Sequence, residues 1–292
     1  LLRSVFQAVL GILFRVRLTG MDNIKKAGFN AIIIANHTSL LDGLLIAAFM
    51  PEKVTFAINT EWAKTWYVKL FGLVVRFLPV DPTSPFSIRE MIDEVKSGSK
   101  LMIFPEGRIT TTGGLMKVYE GAGVIAEKAN ARILPVRING AQYSKLSYMN
   151  NKFKTRMFPK ITMSILKPMK IHIPAEIKGR DRRHVTSVKL YELMADMIYK
   201  TSDIEENLFT SLIDAAKTHG WAHKIAEDIT RRPLSYNAFI KKAYVLGAAY
   251  EQAFADDKYI GLMLPNMLVN VISFFALQSV DKVPVMLNFT QG

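Results

Sequence analysis

Residues 31–42, Ala31-Ile32-Ile33-Ile34-Ala35-Asn36-His37-Thr38-Ser39-Leu40-Leu41-Asp42, decide the fold class. Five apolar residues, three of them β-branched, form a run of strand length without polar alternation, the pattern of a strand buried on both faces. Thr38 and Ser39 follow at once, side chains that favour a helix start, and the apolar stretch 40–50 then carries a helical pattern. Working outward, the same succession recurs. Strands are expected at 54–58, 101–104, 132–138 and 161–166, and helices at 62–70, 85–96, about 116–129 and 184–199. Such alternation predicts an α/β layered domain whose ligand sites gather at the carboxyl ends of the strands. No internal repeat or low-complexity tract interrupts it.

The chain has 292 residues, roughly twice the usual single-domain length, so one large domain or two smaller ones are expected. Half the residues are hydrophobic and 22% charged, which excludes a disordered chain. Without cysteine there is no disulfide, thiolate zinc site or Cys nucleophile. The 38 Lys and Arg against 25 Asp and Glu give +13, a charge suited to nucleic acid, an anionic membrane or an acidic protein. Residues 1–200 carry 30 basic and 15 acidic side chains and residues 201–292 carry 8 and 10. This shift predicts a boundary between Lys200 and Asn207, dividing the chain into domains 1–200 and 201–292. Eleven basic residues lie in 145–183 against Glu176 and Asp181 alone. Tyr143, Tyr148, Phe153 and Phe158 interleave with them, but no helix-turn-helix, RNA-recognition or zinc signature accompanies them, so nucleic acid is not the expected partner.

Near the start, residues 4–14 are uncharged between Arg3 and Arg15, too short for the roughly 20 residues of a membrane-spanning helix. An interfacial helix on a membrane and a helix packed on its own domain both fit. The longer uncharged run 259–280 is broken by Pro265-Asn266 and reads as a short strand followed by an N-capped core helix. Opening on Leu1 and closing just after the strand-like run 283–287, the chain reads as part of a longer polypeptide.

Two candidate sites fall at strand ends. In the first, a cap at Thr38 or Ser39 leaves His37 just outside a helix whose first turn contains Asp42, so the carboxylate can fold back to the imidazole. Asp42 would accept the Nδ1 hydrogen and leave Nε2 of His37 to take a proton from a hydroxyl. The plainer alternative is a capping His37 with Asp42 favouring the positive end of the helix. Thr38, Ser39 and Gly43 shape the turn. The second site is Phe104-Pro105-Glu106-Gly107-Arg108, followed by a Thr/Gly run to Gly114. Arg108 offers a planar fork for phosphate, Gly107 exposes backbone N–H groups, and Glu106 either accepts from a substrate hydroxyl or holds Arg108. A structural turn with a surface ion pair is the alternative. The run lacks the Gly-Lys-Ser/Thr ending of a nucleotide phosphate loop.

Taken in order, the strings 36–42 and 104–108 resemble the two signature motifs of the glycerolipid acyltransferases, and Ile133-Leu134-Pro135-Val136 resembles the family's later apolar motif. Residues 78–83, 103–112, 115–117 and 121–123 are similar to the bifunctional members that join a 2-acylglycerophosphoethanolamine acyltransferase to an acyl-acyl carrier protein synthetase. Residues 235–239, 260–266 and 283–288 resemble the opening of the adenylate-forming domain of such a synthetase. The resemblance implies an α/β layered domain with a mixed sheet and flanking helices, then a partial α/β adenylate-forming domain. It implies a direct reaction in which His37, oriented by Asp42, deprotonates the free hydroxyl of a lysophospholipid, which attacks an acyl carrier protein thioester. Asn36, Glu106, Gly107, Arg108 and Thr110 would hold the acceptor. Asp81-Pro82 stands where relatives carry a further Arg, leaving Arg76 or Lys117 to assist Arg108. No metal or cofactor is implied for this chain, ATP and Mg belonging only to the full-length synthetase. Expected partners are the lysophospholipid, acyl carrier protein and an anionic membrane surface. The expected location is the cytoplasmic side of the bacterial inner membrane, peripheral or monotopic. A 1-acylglycerol-3-phosphate acyltransferase using acyl-coenzyme A or acyl carrier protein, and a non-catalytic basic membrane-binding module, are the alternatives.

Overall fold

A computed structural model describes residues 2–288 except 52, 66–67, 69–71, 73–74, 82–83 and 150–154. The chain divides into two units, Leu1–Ser202 and Asp203–Gly292. In the first, β1 (Arg17–Thr19), β2 (Ala31–Ala35), β3 (Val54–Asn59), β4 (Arg76–Val80), β5 (Lys100–Ile103), β6 (Arg132–Asn139) and β7 (Thr162–Ile165) form one sheet in the order β1-β7-β6-β2-β5-β3-β4. Strands β6, β2, β5, β3 and β4 are mutually parallel. Because β7 runs antiparallel to β6 and β1 parallel to β7, the sheet is mixed.

Every residue of β2 is buried, as its unbroken apolar run requires. Ala31, Ile33 and Ala35 pack beneath α1 (Leu2–Leu13), α2 (Asp22–Ala27) and α3 (Leu41–Phe49). Ile32 and Ile34 face the other layer, made by α5 (Pro85–Lys96), α6 (Gly121–Lys128) and α7 (Gly179–Thr201). Each fully buried Ile contributes about 1.5–3 kcal/mol of transfer free energy, so this central strand anchors both layers.

Three expected helices differ in extent. Of the stretch 62–70 the structure forms α4 at Thr60–Ala63, and residues 66–67 and 69–70 lie outside the described set. The expected helix 116–129 begins only at Gly121. Met116 gives its N–H to the Glu106 carboxylate and Tyr119 gives its own to the Pro105 carbonyl, which holds the preceding strap away from helical pairing. Helix α7 starts at Gly179 instead of 184, because Arg182 donates to the carbonyls of Pro174 and Ile177 and to Glu127, anchoring the first turn. Strand β1 and helix α2 are too brief to signal, and β4, as long as β2, mixes Arg76 and Pro79 into its run and so lacks the unbroken apolar pattern.

Helix α1 has two apolar faces. Leu10 and Phe14 at its end are buried against the core, whereas Val5, Val9 and Ile12 are exposed. Among the described residues no helix is long and apolar enough to cross a membrane.

The second unit contains α8 (Leu208–His219), the antiparallel pair β8 (Lys224–Ala226) and β9 (Leu234–Ser235), α9 (Tyr236–Ala253), β10 (Tyr259–Leu262), α10 (Leu268–Ser279) and β11 (Val283–Met286). Strands β10 and β11 pair in parallel, so α10 is the crossover of a βαβ unit. Ser235 caps α9 by accepting the N–H of Ala238. The expected side-chain cap on α10 is not formed; Met267 holds that position. Lys282 instead closes the other end of α9, its ammonium donating to the carbonyls of Phe254, Ala255 and Asp257.

Candidate active site

Parallel pairing of β2 with β5 in the register Ile34 to Ile103 sets residues 35–37 beside residues 104–106 at the carboxyl edge of the sheet. Two motifs 69 residues apart thereby become one site.

Asp42 is fully buried in the first turn of α3, and three donors converge on its Oδ2. His37 Nδ1 lies 3.0 Å away, the N–H of Thr38 2.5 Å and the N–H of Ser39 2.8 Å. The carboxylate thus folds back over the helix start, as the spacing predicts, while the Ser39 hydroxyl accepts from the N–H of Leu41. The imidazole stacks on Phe104 with centroids 3.9 Å apart and planes 13° from parallel. With its side chain 19% exposed and Nδ1 engaged, Nε2 is the nitrogen left open to a reactant.

The His37 peptide is held from the second motif. Its N–H donates to Glu106 Oε1 at 2.9 Å, and its carbonyl accepts the N–H of Thr110 at 2.8 Å. Oε2 of Glu106 accepts the N–H of Met116 at 3.0 Å. Both oxygens act as acceptors, so the ionised form fits this geometry. Burial pushes the Glu106 carboxyl above its ordinary value, while the Met116 and His37 N–H groups and the charges of His37 and Arg137 pull it back. Glu106 is therefore a tie between loops and does not hold Arg108.

The other expected site residues divide in two. Asn36 is buried with Nδ2 donating to the Ile138 carbonyl and Oδ1 accepting the Ile138 N–H, both at 2.8 Å, so its amide is spent on β6. Thr110 is buried too, its hydroxyl donating to the Gly114 carbonyl and accepting from Thr112 and Gly113. Gly107, at φ +66°, is in the left-handed region, and a Cβ there would lie 3.3 Å from the Tyr119 ring. Lys117 places its ammonium 5.1 Å from the centre of that same ring. Arg108 is exposed and without a hydrogen bond or ion pair among the described residues. Gly107, Arg108 and Lys117 are all exposed, with Gly107 and Lys117 both beside the Tyr119 ring. Arg76 is not brought there; it stands at the amino end of β4 and pairs with Glu94 at 3.1 Å.

Sequence reasoning missed Arg137. It sits in β6 one residue beyond Val136, which pairs with Ala35. With Asn36, Thr38, Glu106 and the 113–115 loop it lines a pocket of about 90 Å³. Burial pulls its guanidinium below the ordinary value, opposed by the charges of Glu106 and Asp42. A lone charge inside the otherwise apolar run 133–138 was the available signal. Among the described residues no cluster of three His, Asp or Glu is placed to hold a metal.

Residues 15–139 match the family model described as Acyltransferase, and both motifs and Arg137 lie within the matched residues. Over 148 residues the chain is 32% identical to the 1-acyl-sn-glycerol-3-phosphate acyltransferase of Cocos nucifera, covering 48% of this chain and 46% of that one. It is 26% identical over 145 residues to the 1-acyl-sn-glycerol-3-phosphate acyltransferase of Pseudomonas aeruginosa, covering 47% and 53%. The chain thus spans about half the length of these curated relatives. A solved structure, the 1-acyl-sn-glycerophosphate acyltransferase of Thermotoga maritima, is similar at a TM-score of 0.47 and 23% identity, over 66% of this chain and 79% of that one.

Proposed function

We propose that this protein transfers a fatty acyl group from a thioester to the free hydroxyl of a lysophospholipid. The observation that carries the reading is the His37–Asp42 pair, with Nδ1 held at 3.0 Å by a buried carboxylate and the ring partly exposed at the carboxyl edge of the sheet. Nε2 of His37 takes the hydroxyl proton as the oxygen attacks the thioester carbonyl. The carbon–sulfur bond then breaks, and the thiolate recovers the proton from the imidazolium. No covalent acyl-enzyme forms, so bringing the two substrates together supplies much of the acceleration. Gly107, Arg108 and Lys117 fit the acceptor's phosphate, whereas Glu106, Asn36 and Thr110 serve by holding the loops.

For the donor we favour acyl carrier protein, and for the acceptor 2-acylglycerophosphoethanolamine, on the residue strings shared with the bifunctional enzymes. The names of the two relatives favour 1-acylglycerol-3-phosphate equally. The exposed apolar face of α1 and the basic stretch 145–183 suit peripheral attachment to an anionic membrane, as on the cytoplasmic side of a bacterial inner membrane. Phe153 of that stretch lies outside the described residues. The βαβ unit of residues 259–286 fits the opening of an adenylate-forming domain, in which ATP and Mg would act only with the segments that complete it.

The test is acyl transfer from acyl carrier protein or coenzyme A thioesters to either lysophospholipid, for the chain and for His37→Ala. Loss of a general base should cost roughly 10²–10⁴-fold in kcat. A folded His37→Ala variant within a few-fold of the parent would sink the mechanism. No transfer by the folded parent with any pair would favour a non-catalytic membrane-binding module.

A further inference from the structure

Two carboxylates are buried within this site, Asp42 fully and Glu106 at 2% exposure. Asp42 is satisfied by three donors on its own loop. Among the described residues Glu106 accepts from two backbone N–H groups, one from each stretch it joins. The charged and titratable groups around these carboxylates are His37 after β2, Asp42 on α3 and Arg137 on β6. Of these, Arg137 is the permanent cation. Its guanidinium makes no hydrogen bond or ion pair among the described residues and shares a small pocket with Glu106. Arg137 is part-buried, and a partly desolvated guanidinium without a fixed partner is costly unless its charge is used by something nearby.

We infer that Arg137 is a positioning residue: in the pocket it lines together with Glu106 it is the counter-charge that keeps Glu106 ionised, and so preserves the ties Glu106 makes to the His37 and Met116 N–H groups. Protonated Glu106 would turn one oxygen into a donor facing an N–H, and one tie would open. The open tie would free either the His37 peptide or the 115–119 strap that carries Lys117. Arg137 thus acts through Glu106 and touches no substrate. This inference rests on the acyl-transfer reading only for its kinetic readout.

The experiment compares the whole chain with Arg137→Met, Arg137→Lys, Glu106→Gln and the double variant Arg137→Met/Glu106→Gln. Two quantities are measured against pH: kcat for acyl transfer with the thioester (acyl carrier protein or coenzyme A) and the lysophospholipid that the parent chain turns over, and thermal unfolding. Arg137→Met should move the acid limb of kcat to higher pH, with a loss of about tenfold at the acid end and much less at the alkaline end. Arg137→Lys should restore the limb, and in the Glu106→Gln background the shift should vanish. The stability sign follows from the raised Glu106 carboxyl: its ionisation costs stability as pH rises through its folded value, and removing Arg137 enlarges that cost. The stability gap between parent and Arg137→Met should therefore change as pH rises from the acid end, opening against Arg137→Met, and be flat in the Glu106→Gln background. A kinetic loss uniform across pH, a stability gap constant with pH, or a shift that persists without Glu106 would overturn the inference. If the folded parent transfers no acyl group with any pair of thioester and lysophospholipid, the functional reading fails and the unfolding series alone decides the role of Arg137.

Discussion

Asp42→Asn is the sharpest test of the proposed base, because the structure lets the charge be removed with the geometry kept. The three close donors, His37 Nδ1 and the N–H groups of Thr38 and Ser39, all meet Oδ2, while Oδ1 has only the Thr38 hydroxyl at 3.5 Å. An asparagine with its carbonyl oxygen in the Oδ2 position keeps all three bonds. Its NH₂ group then meets a hydroxyl that can accept instead, and the reversed amide would set NH₂ against three donors. What disappears is the negative charge 3.0 Å from the nitrogen of an imidazole that becomes cationic during the reaction. Full unit charges at that range in an effective dielectric of about 20 attract by about 5 kcal/mol. Allowing for partial charge at the transition state, about 4 kcal/mol or roughly 10³-fold in kcat is expected, with KM nearly unchanged. Replacing a charged acceptor by a neutral one should also lower fold stability by about 1–2 kcal/mol. Steady-state thiol release with acyl-coenzyme A and lysophosphatidic acid reads the first, and denaturant unfolding the second. A folded Asp42→Asn variant with kcat within about fivefold of the parent would refute the orienting role, leaving Asp42 as a helix-start anchor alone.

Asn36→Leu, similar in shape, should cost about 2–4 kcal/mol by leaving the buried N–H and carbonyl of Ile138 unpaired. Denaturant unfolding measures it, and unchanged stability with a raised KM for the acceptor would instead make Asn36 a substrate contact. Gly123 lies where α6 meets α7, and a Cβ there would come within 2.6 Å of the Thr186 methyl. Gly123→Ala should therefore destabilise by about 1–3 kcal/mol, and adding Thr186→Ser should recover part of the loss; absence of recovery in the unfolding midpoint would point away from that contact.

The parts legible in the sequence are those with strong local signals. The apolar runs 31–35 and 132–138 became the buried strands β2 and β6, and the five-residue step from His37 to Asp42 became a hydrogen bond of 3.0 Å. Resemblance supplied the mixed sheet, because nothing in the run 161–166 tells which way β7 points. What escaped depends on distant pairing. Glu106 read as a phosphate-site residue or a holder of Arg108, yet its partners are backbone groups of His37 and Met116, invisible until β2 and β5 lie side by side. The same ties shortened α6, since they compete with helical pairing for residues 116–119. Arg76 looked available only because its partner Glu94 is 18 residues away on α5.

The strand order carries an engineering consequence. Strands β3 and β4 lie between the two motifs in sequence but outside them in space, because β5 returns to pair with β2 and leaves β3 and β4 at the sheet margin. The catalytic pair, its Glu106 tie and Arg137 all come from β2, β5 and β6 or from the loops and the start of α3 that follow them. Residues 54–80 are therefore a cassette: a margin that can be exchanged for that of a relative while the three reacting strands keep their register. Chimaeras cut in the loops before β3 and after β4 would let substrate preference be surveyed on a constant chemical centre.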